Sequence, residues 1–158
     1  MHVGASRAQS SSGSTRNWSS DYLPARTMIF APKGRCFTFE IPDDWWNDAA
    51  MSAFKRCGLS YSGCPDPDRP LLPVIIVPIA AIRRGPRTRK GGDFDQRRMT
   101  DILHGIAHGS RIPAVAIKRL PDDAAPLSHK LYEGFHRFCA AIAAGYTHIP
   151  AVVVDEDA

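Results

Sequence analysis

Long apolar runs are absent from this chain of 158 residues. A helix that crosses a bilayer needs about 20 consecutive apolar residues, and no stretch of the sequence approaches that length. Residues 1–20 also lack the apolar core of a secretory signal. We therefore predict a cytoplasmic protein that makes no contact with a membrane.

Paired cysteines are absent as well. The four cysteines, Cys36, Cys57, Cys64 and Cys139, form no Cys-x-x-Cys pair and fit no standard zinc spacing. Outside a secretory context we expect them to be buried thiols and not disulfides. The alternative is that Cys36, Cys57 and Cys64 together bind a metal ion. We predict no tightly held metal.

An extreme net charge is also missing. Twenty Lys and Arg against 16 Asp and Glu leave a formal charge of +4. Such a mild excess permits an anionic partner without requiring one. The length is sufficient for a compact domain with a real core.

Composition divides the chain into three parts: a Ser-rich, low-complexity leader (1–25) predicted to be disordered, a small appendage with a linker (26–70), and a main domain (71–158). In the appendage, Phe37, Phe39 and Ile41 alternate with polar residues after a Pro-Lys-Gly turn, which predicts a hairpin. Asp43 or Asp44 is predicted to cap a short helix that continues to Phe54.

The adjacent Trp45 and Trp46 of that helix have two interpretations. Exposed tryptophans are enriched at the centres of protein interfaces, so they could bind a protein partner. They could instead fasten the appendage to the main core.

The main domain alternates between strand and helix patterns. The predicted order is strand, helix, strand, strand, helix, strand, which indicates an α/β (α+β) fold: a small mixed sheet with packed helices. The predicted segments are a strand centred on 74–77, a helix from Asp95 to Gly109, strands at 112–120 and 129–133, a helix at 135–144, and a strand at 151–154.

The joint between strand 129–133 and the next helix has residues suited to binding a phosphate. Gly134 permits an unusual backbone angle and a close approach by a ligand. The free N–H groups at a helix start are partly positive, and His136 and Arg137 add donors. Glu133 could hold a metal ion or act as a base. Alternatively, His136 is a surface residue and Arg137 pairs with an acid.

The predicted helix at 135–144 should have one face in the core and one face of small side chains. Helical spacing places the bulky residues together and the small residues, with the arginine, on the other side. The predicted core face is Phe135, Phe138, Cys139 and Ile142, and the predicted open face is Arg137, Ala140, Ala141 and Ala144.

The segment from about Val74 to Val154 resembles the ParB/sulfiredoxin-like family. The resemblance rests on a first strand ending in Val-Pro-Ile, an arginine-rich loop, a helix ended by glycine, a strand opened by Ile-Pro, and the Gly-Phe-His-Arg turn before the closing strand. More narrowly, the chain is similar to small bacterial ParB-like proteins with a Gly-Phe-His-Arg-Phe motif.

The resemblance implies a nucleotide, ATP or CTP, bound at the glycine-to-arginine turn, with Mg²⁺ arriving on the nucleotide. It also implies that an arginine of the loop after the first strand helps to hold the nucleotide. Arg87 matches that position, with Arg89 close behind. Sulfiredoxin has its catalytic cysteine where this chain has Phe135, so we expect no sulfinic acid reduction. The acid-Gly-x-x-Arg turn of family members that phosphorylate serine is kept, with Glu133 in place of aspartate.

We predict a nucleotide- or phosphate-binding protein that acts on a phosphate by hydrolysis or phosphotransfer. Gly134, Phe135, His136 and Arg137 would bind the phosphate, helped by Arg87 and Arg89, and Glu133 would be the catalytic residue. One alternative is a nuclease or regulator that binds nucleic acid in the cleft at the same turn and with the arginine-rich loop that follows the first strand. Another is a non-catalytic interaction module acting through Trp45 and Trp46. The residues do not decide whether the chain is an enzyme.

Overall fold

A computed structural model describes residues 26–35, 37–84 and 94–155. The predicted disordered leader, residues 1–25, lies outside the described residues, as do Cys36, Arg87 and Arg89. The strands are β1 (Thr27–Phe30), β2 (Phe39–Pro42), β3 (Gly63–Cys64), β4 (Ile75–Pro78), β5 (Ile82–Arg83), β6 (Ile112–Pro113), β7 (Val115–Arg119), β8 (His129–Glu133) and β9 (His148–Val153). The helices are α1 (Asp43–Asp48), α2 (Gln96–Ala107) and α3 (Phe135–Ala143).

The N-terminal hairpin is confirmed. β1 and β2 pair antiparallel, and Gly34 lies in the connecting turn with a φ of 76°. Phe39 and Ile41 are buried while Glu40 is exposed, as the period of two predicts.

The short helix that follows differs from the prediction in two ways. Pro42 occupies the N-cap without a side-chain hydrogen bond, so neither Asp43 nor Asp44 caps the helix. Both carboxylates lie in the first turn, where the helix dipole favours negative charge. The helix also stops at Asp48, because Ala50 adopts a left-handed conformation with a φ of 60°.

The hairpin and α1 pack against the main domain. Trp45 and Trp46 are partly buried against the hydrophobic core, which agrees with the fastening interpretation. Arg35 adds a polar link, because its guanidinium donates hydrogen bonds to the carbonyls of Ile79 and Ile82. The boundary between residues 26–70 and 71–158 stays a prediction.

The main sheet has five strands in the order β4-β9-β7-β8-β5. β9 pairs antiparallel with β4 and parallel with β7, while β8 pairs antiparallel with β7 and parallel with β5. α3 packs against β7 and β9, and α2 packs against α3. The predicted α/β fold, a small mixed sheet with packed helices, is confirmed by this arrangement.

The helix α2 forms as predicted. The Asp95 carboxylate accepts a hydrogen bond of 2.7 Å from the backbone N–H of Arg98, which makes Asp95 an N-cap. Met99, Leu103 and Ile106 are buried along one face. Gly109, with a φ of 66°, follows the end of the helix.

The prediction that α3 has an open face of small side chains is wrong. Ala140 and Ala141 are fully buried, and Ala144 is also buried, whereas Phe135 and Ile142 are only half-buried. The reason is tertiary. α3 is covered by the sheet on one side and by α2 on another, and alanine allows such close approach.

The cysteines are free thiols where the structure describes them. Cys139 is buried, Cys64 is half-buried and Cys57 is exposed, so the prediction of a buried thiol is wrong for Cys57. Residues 26–35, 37–84 and 94–155 contain no group of three potential metal-ligating side chains. Among the helices in these ranges, none is long and apolar enough to cross a membrane.

Candidate functional site

The site is built at the turn from β8 into α3. Gly134 has a φ of 102°, a conformation that a residue with a Cβ rarely adopts. A Cβ there would also lie 2.8 Å from Val115 Cγ1 and 3.1 Å from Arg137 Nη2. Glycine is therefore required by both the backbone angle and the packing. Gly134 provides no side-chain cap, and the start of α3 carries the positive end of the helix dipole.

Arg137 is fixed by the backbone of the neighbouring strands. Its Nη1 donates hydrogen bonds of 3.0 Å to the Pro113 carbonyl and 2.7 Å to the Ala114 carbonyl. The side chain is half-buried, and Nη2 lies on the Gly134 side. Arg137 is thus held in one orientation before any ligand arrives. It also stabilises the junction of β6 and β7, a role that the sequence did not predict.

Tyr61 is a buried neighbour of Arg137 that sequence reasoning missed. Its hydroxyl has no hydrogen-bond partner within the described residues. Burial raises the pKa of Tyr61, and the positive charge of Arg137 opposes that rise. The predicted linker contains this tyrosine, and an isolated aromatic residue in a linker gives no periodic signal.

His136 joins the start of α3 to the start of α2. Its Nε2 accepts a hydrogen bond of 3.0 Å from the backbone N–H of Asp95. In this hydrogen bond the imidazole nitrogen is the acceptor. The ring also lies edge-on to Phe94, with centroids 5.3 Å apart. His136 therefore holds two helix starts together beside the predicted phosphate site.

Glu133 is paired with an arginine from the predicted linker. Arg69 Nη1 lies 3.1 Å from Glu133 Oε2 and 2.8 Å from Asp66 Oδ2. The Asp66 hydrogen bond is the first cause that raises the pKa of Arg69, and Glu133 adds to it. Asp66 is buried, with 4% of its surface exposed. Sequence reasoning missed both linker residues, although an acid three positions before an arginine was a usable signal.

Phe135 brings a second arginine to the start of α3. The Arg84 guanidinium lies 5.3 Å from the Phe135 ring centroid and 4.8 Å from that of Phe37. Arg84 thus lies near two aromatic rings, where cation–π attraction favours it. The arginine-rich loop does supply a cation to this turn. The residues selected from the sequence, Arg87 and Arg89, lie outside the described part of the chain.

These groups can bind an anion and place a carboxylate beside it. The N-terminus of α3 provides the positive end of a helix dipole, and Arg84 and Arg137 add positive charge. Glu133 and Asp66 provide the hard oxygen ligands that Mg²⁺ prefers. Both carboxylates already accept from Arg69, so a cation at Glu133 would compete with Arg69.

Comparison with known proteins gives structural matches only. No protein-family model matches the chain, and no curated protein does. Sulfiredoxin from Arabidopsis thaliana matches at 22% identity over 52% of this chain and 84% of that chain, with a TM-score of 0.39.

Two structures of C-terminally truncated ParB from Caulobacter crescentus also match. The complex with the centromeric parS site is 21% identical over 51% of this chain and 38% of that chain, with a TM-score of 0.38. The complex with CTP-gamma-S is 22% identical over 52% of this chain and 44% of that chain, with a TM-score of 0.42. The chain therefore spans less than half of these ParB chains.

Proposed function

We propose that this chain binds a nucleotide, ATP or CTP, or another phosphate-bearing ligand at the start of α3, and that it acts on the phosphate. One observation carries the proposal. The start of α3 follows a glycine with a φ of 102° and has no side-chain cap. The Arg84 guanidinium lies 5.3 Å from the Phe135 ring centroid, and Arg137 Nη2 lies near Gly134. The positive end of a helix dipole and arginine side chains both attract phosphate groups.

Each part of the turn has a different task. Phe135 and His136, the first residues of α3, would place the positive end of the helix against the phosphate. Arg137 would contribute Nη2, since Nη1 is occupied by the Pro113 and Ala114 carbonyls. Arg84 would approach from the loop, and we propose that Arg87 and Arg89 extend the same positive surface, as the family resemblance implies.

The carboxylate of Glu133 is the proposed catalytic group. It would accept a proton from the attacking hydroxyl or water, and Mg²⁺ carried by the nucleotide would neutralise phosphate charge. Arg69 holds this carboxylate in place through a contact of 3.1 Å. Asp66 in turn anchors Arg69.

The test is calorimetric titration with ATP, CTP and GTP, each with and without Mg²⁺. Tripolyphosphate alone tests whether the base contributes to binding. Arg84→Ala should weaken binding about tenfold, as expected for a charge-assisted contact of about 1.4 kcal/mol. Arg97→Ala is the matched control, because this side chain is 92% exposed and lies on α2.

Phosphate release from the bound nucleotide tests the chemistry. Glu133→Gln should keep nucleotide binding and lose turnover, since the amide is the same size as the carboxylate but accepts no proton. The binding proposal fails if none of the nucleotides or tripolyphosphate binds. If they bind and Glu133→Gln turns over like the wild type, the catalytic role fails and the binding site stands. The nucleic-acid and interaction-module alternatives stay predictions.

A further inference from the structure

The face of the main sheet opposite α3 carries a row of cations, of which one is exposed and two are half-buried. Lys118 of β7 lies directly opposite Lys130 of β8, and Lys130 lies directly opposite Arg83 of β5. Their sequence neighbours Ile117, Leu131 and Ile82 are buried on the helix side. Because side chains alternate along a strand, the three cations share the opposite face.

This row is not explained by stability. Like charges directly opposite each other on paired strands are destabilising. Within the described part of the chain, none of Arg83, Lys118 and Lys130 has an acidic side chain within ion-pair distance. A row of like charges without acidic partners is expected where an anionic ligand compensates the repulsion.

An exposed aromatic ring lies beside the row. Tyr132 is two residues after Lys130 on the same strand, so it shares their face, and it is 54% exposed. Lys118 Nζ lies 4.5 Å from its ring centroid, and the Arg69 guanidinium lies 5.8 Å from the centroid. An aromatic ring among cations is the combination that binds single-stranded nucleic acid, because bases stack on the ring and phosphates contact the cations.

The neighbouring groups limit the extent of this surface. Towards β9, Ala116, Val152 and Val154 are buried with Leu72 and Val74 packed against them. The nearby acids Asp66 and Glu133 both accept from Arg69. The open part is therefore the region of β5, β8 and β7, where the row spans about 10 Å across two strand spacings.

We propose that this surface, the cationic face of Arg83, Lys118, Lys130 and Tyr132, binds single-stranded nucleic acid. One base stacks on Tyr132, and the phosphates on either side lie along the row of cations. A duplex fits less well, because its bases are already stacked on each other and cannot cover the ring. The cationic face lies on the side of the sheet opposite α3, so this proposal goes beyond the nucleotide site and does not depend on it.

The test is fluorescence anisotropy with a labelled oligonucleotide in single-stranded and duplex form, titrated between about 50 and 200 mM salt. We expect the single strand to bind more tightly. Lys118→Gln and Lys130→Gln should each reduce the slope of log affinity against log salt by about 0.7, the value for one phosphate contact on a single strand. Tyr132→Ala should weaken binding about tenfold, and Tyr132→Phe should retain the affinity.

Lys55→Gln is the matched control, since Lys55 is exposed in another segment and the substitution removes the same charge. It should leave affinity and slope unchanged. A melting curve adds a readout that a merely structural role would not give: Lys130→Gln should melt no lower than the wild type, because it relieves repulsion from Lys118 and Arg83.

The proposal is overturned if the single strand does not bind, if duplex or acidic lipid vesicles bind more tightly than the single strand, or if Lys55→Gln weakens binding as much as Lys118→Gln. Loss of binding in Tyr132→Phe would also overturn it. The Lys118→Gln and Lys130→Gln variants should bind ATP like the wild type. Failure of nucleotide binding at α3 and failure of the cationic face are therefore separate results.

Discussion

Replacing Arg137 with alanine should destabilise the fold as well as weaken ligand binding. The substitution removes the donor shared by the Pro113 and Ala114 carbonyls. A hydrogen bond from a charged group contributes about 1.5–3 kcal/mol, and a buried carbonyl left without a partner costs a further 1–3 kcal/mol or so. Ala114 is fully buried, so its carbonyl can recover a water partner only if the strand junction rearranges.

We therefore expect Arg137→Ala to lower the free energy of unfolding by about 3 kcal/mol. For a chain of this size each kcal/mol lowers the Tm by about 2–4 °C, so the expected change is about 6–12 °C. Arg137→Lys should recover part of the loss, because an ammonium group keeps the charge but not the planar fork. Urea unfolding followed by circular dichroism measures the free energy, and a thermal melt gives the Tm.

Arg97→Ala is the control for the loss of one arginine from a helix. Its side chain is 92% exposed and lies 4.0 Å from Asp101, so the change should stay within about 0.5 kcal/mol. Nucleotide affinity is then measured at a temperature where every variant is folded, and Arg137→Ala should bind about tenfold more weakly. The reasoning is refuted if Arg137→Ala unfolds at the same urea concentration as the wild type.

Substitutions at three further positions test the fold. Gly134→Ala should cost about 2 kcal/mol or more, because the positive φ and the 2.8 Å approach to Val115 Cγ1 both exclude a Cβ; urea unfolding at wild-type stability would contradict this. Asp95→Ala should lower the free energy of unfolding by about 1 kcal/mol through loss of the N-cap, and Asp95→Asn should keep most of that stability. Equal melting temperatures of the two variants would contradict the capping role. Burial, and then the charge of Arg119, lower the pKa of His129 from its ordinary value of 6.5. Between the folded pKa and 6.5, the folded state therefore binds fewer protons than the unfolded state. The stability that this group contributes is fully present above pH 6.5 and is lost as the pH falls through the folded pKa. In urea titrations at several pH values, His129→Gln should lose this part of the pH dependence, and an unchanged profile would contradict it.

Local patterns in the sequence determined most of the secondary structure. The alternation of Phe37, Phe39 and Ile41 gave the hairpin, and the apolar spacing after Asp95 gave α2 with its cap and its glycine end. The turn at Gly134 was recognisable because a glycine between a strand and a helix is a local backbone requirement. These signals depend on neighbours within a few residues, which the sequence contains in full.

The tertiary structure decided which side chains surround that turn. Arg69 and Asp66 lie in what was predicted to be a linker, yet they hold Glu133. The covering of Ala140 and Ala141 by two elements, and the anchoring of Arg137 on strand carbonyls, follow from packing between distant segments. The row of Arg83, Lys118 and Lys130 exists only because strand register aligns three separate segments. Register and packing depend on pairs of segments that are far apart in the sequence, so the periodicity within one segment cannot specify them.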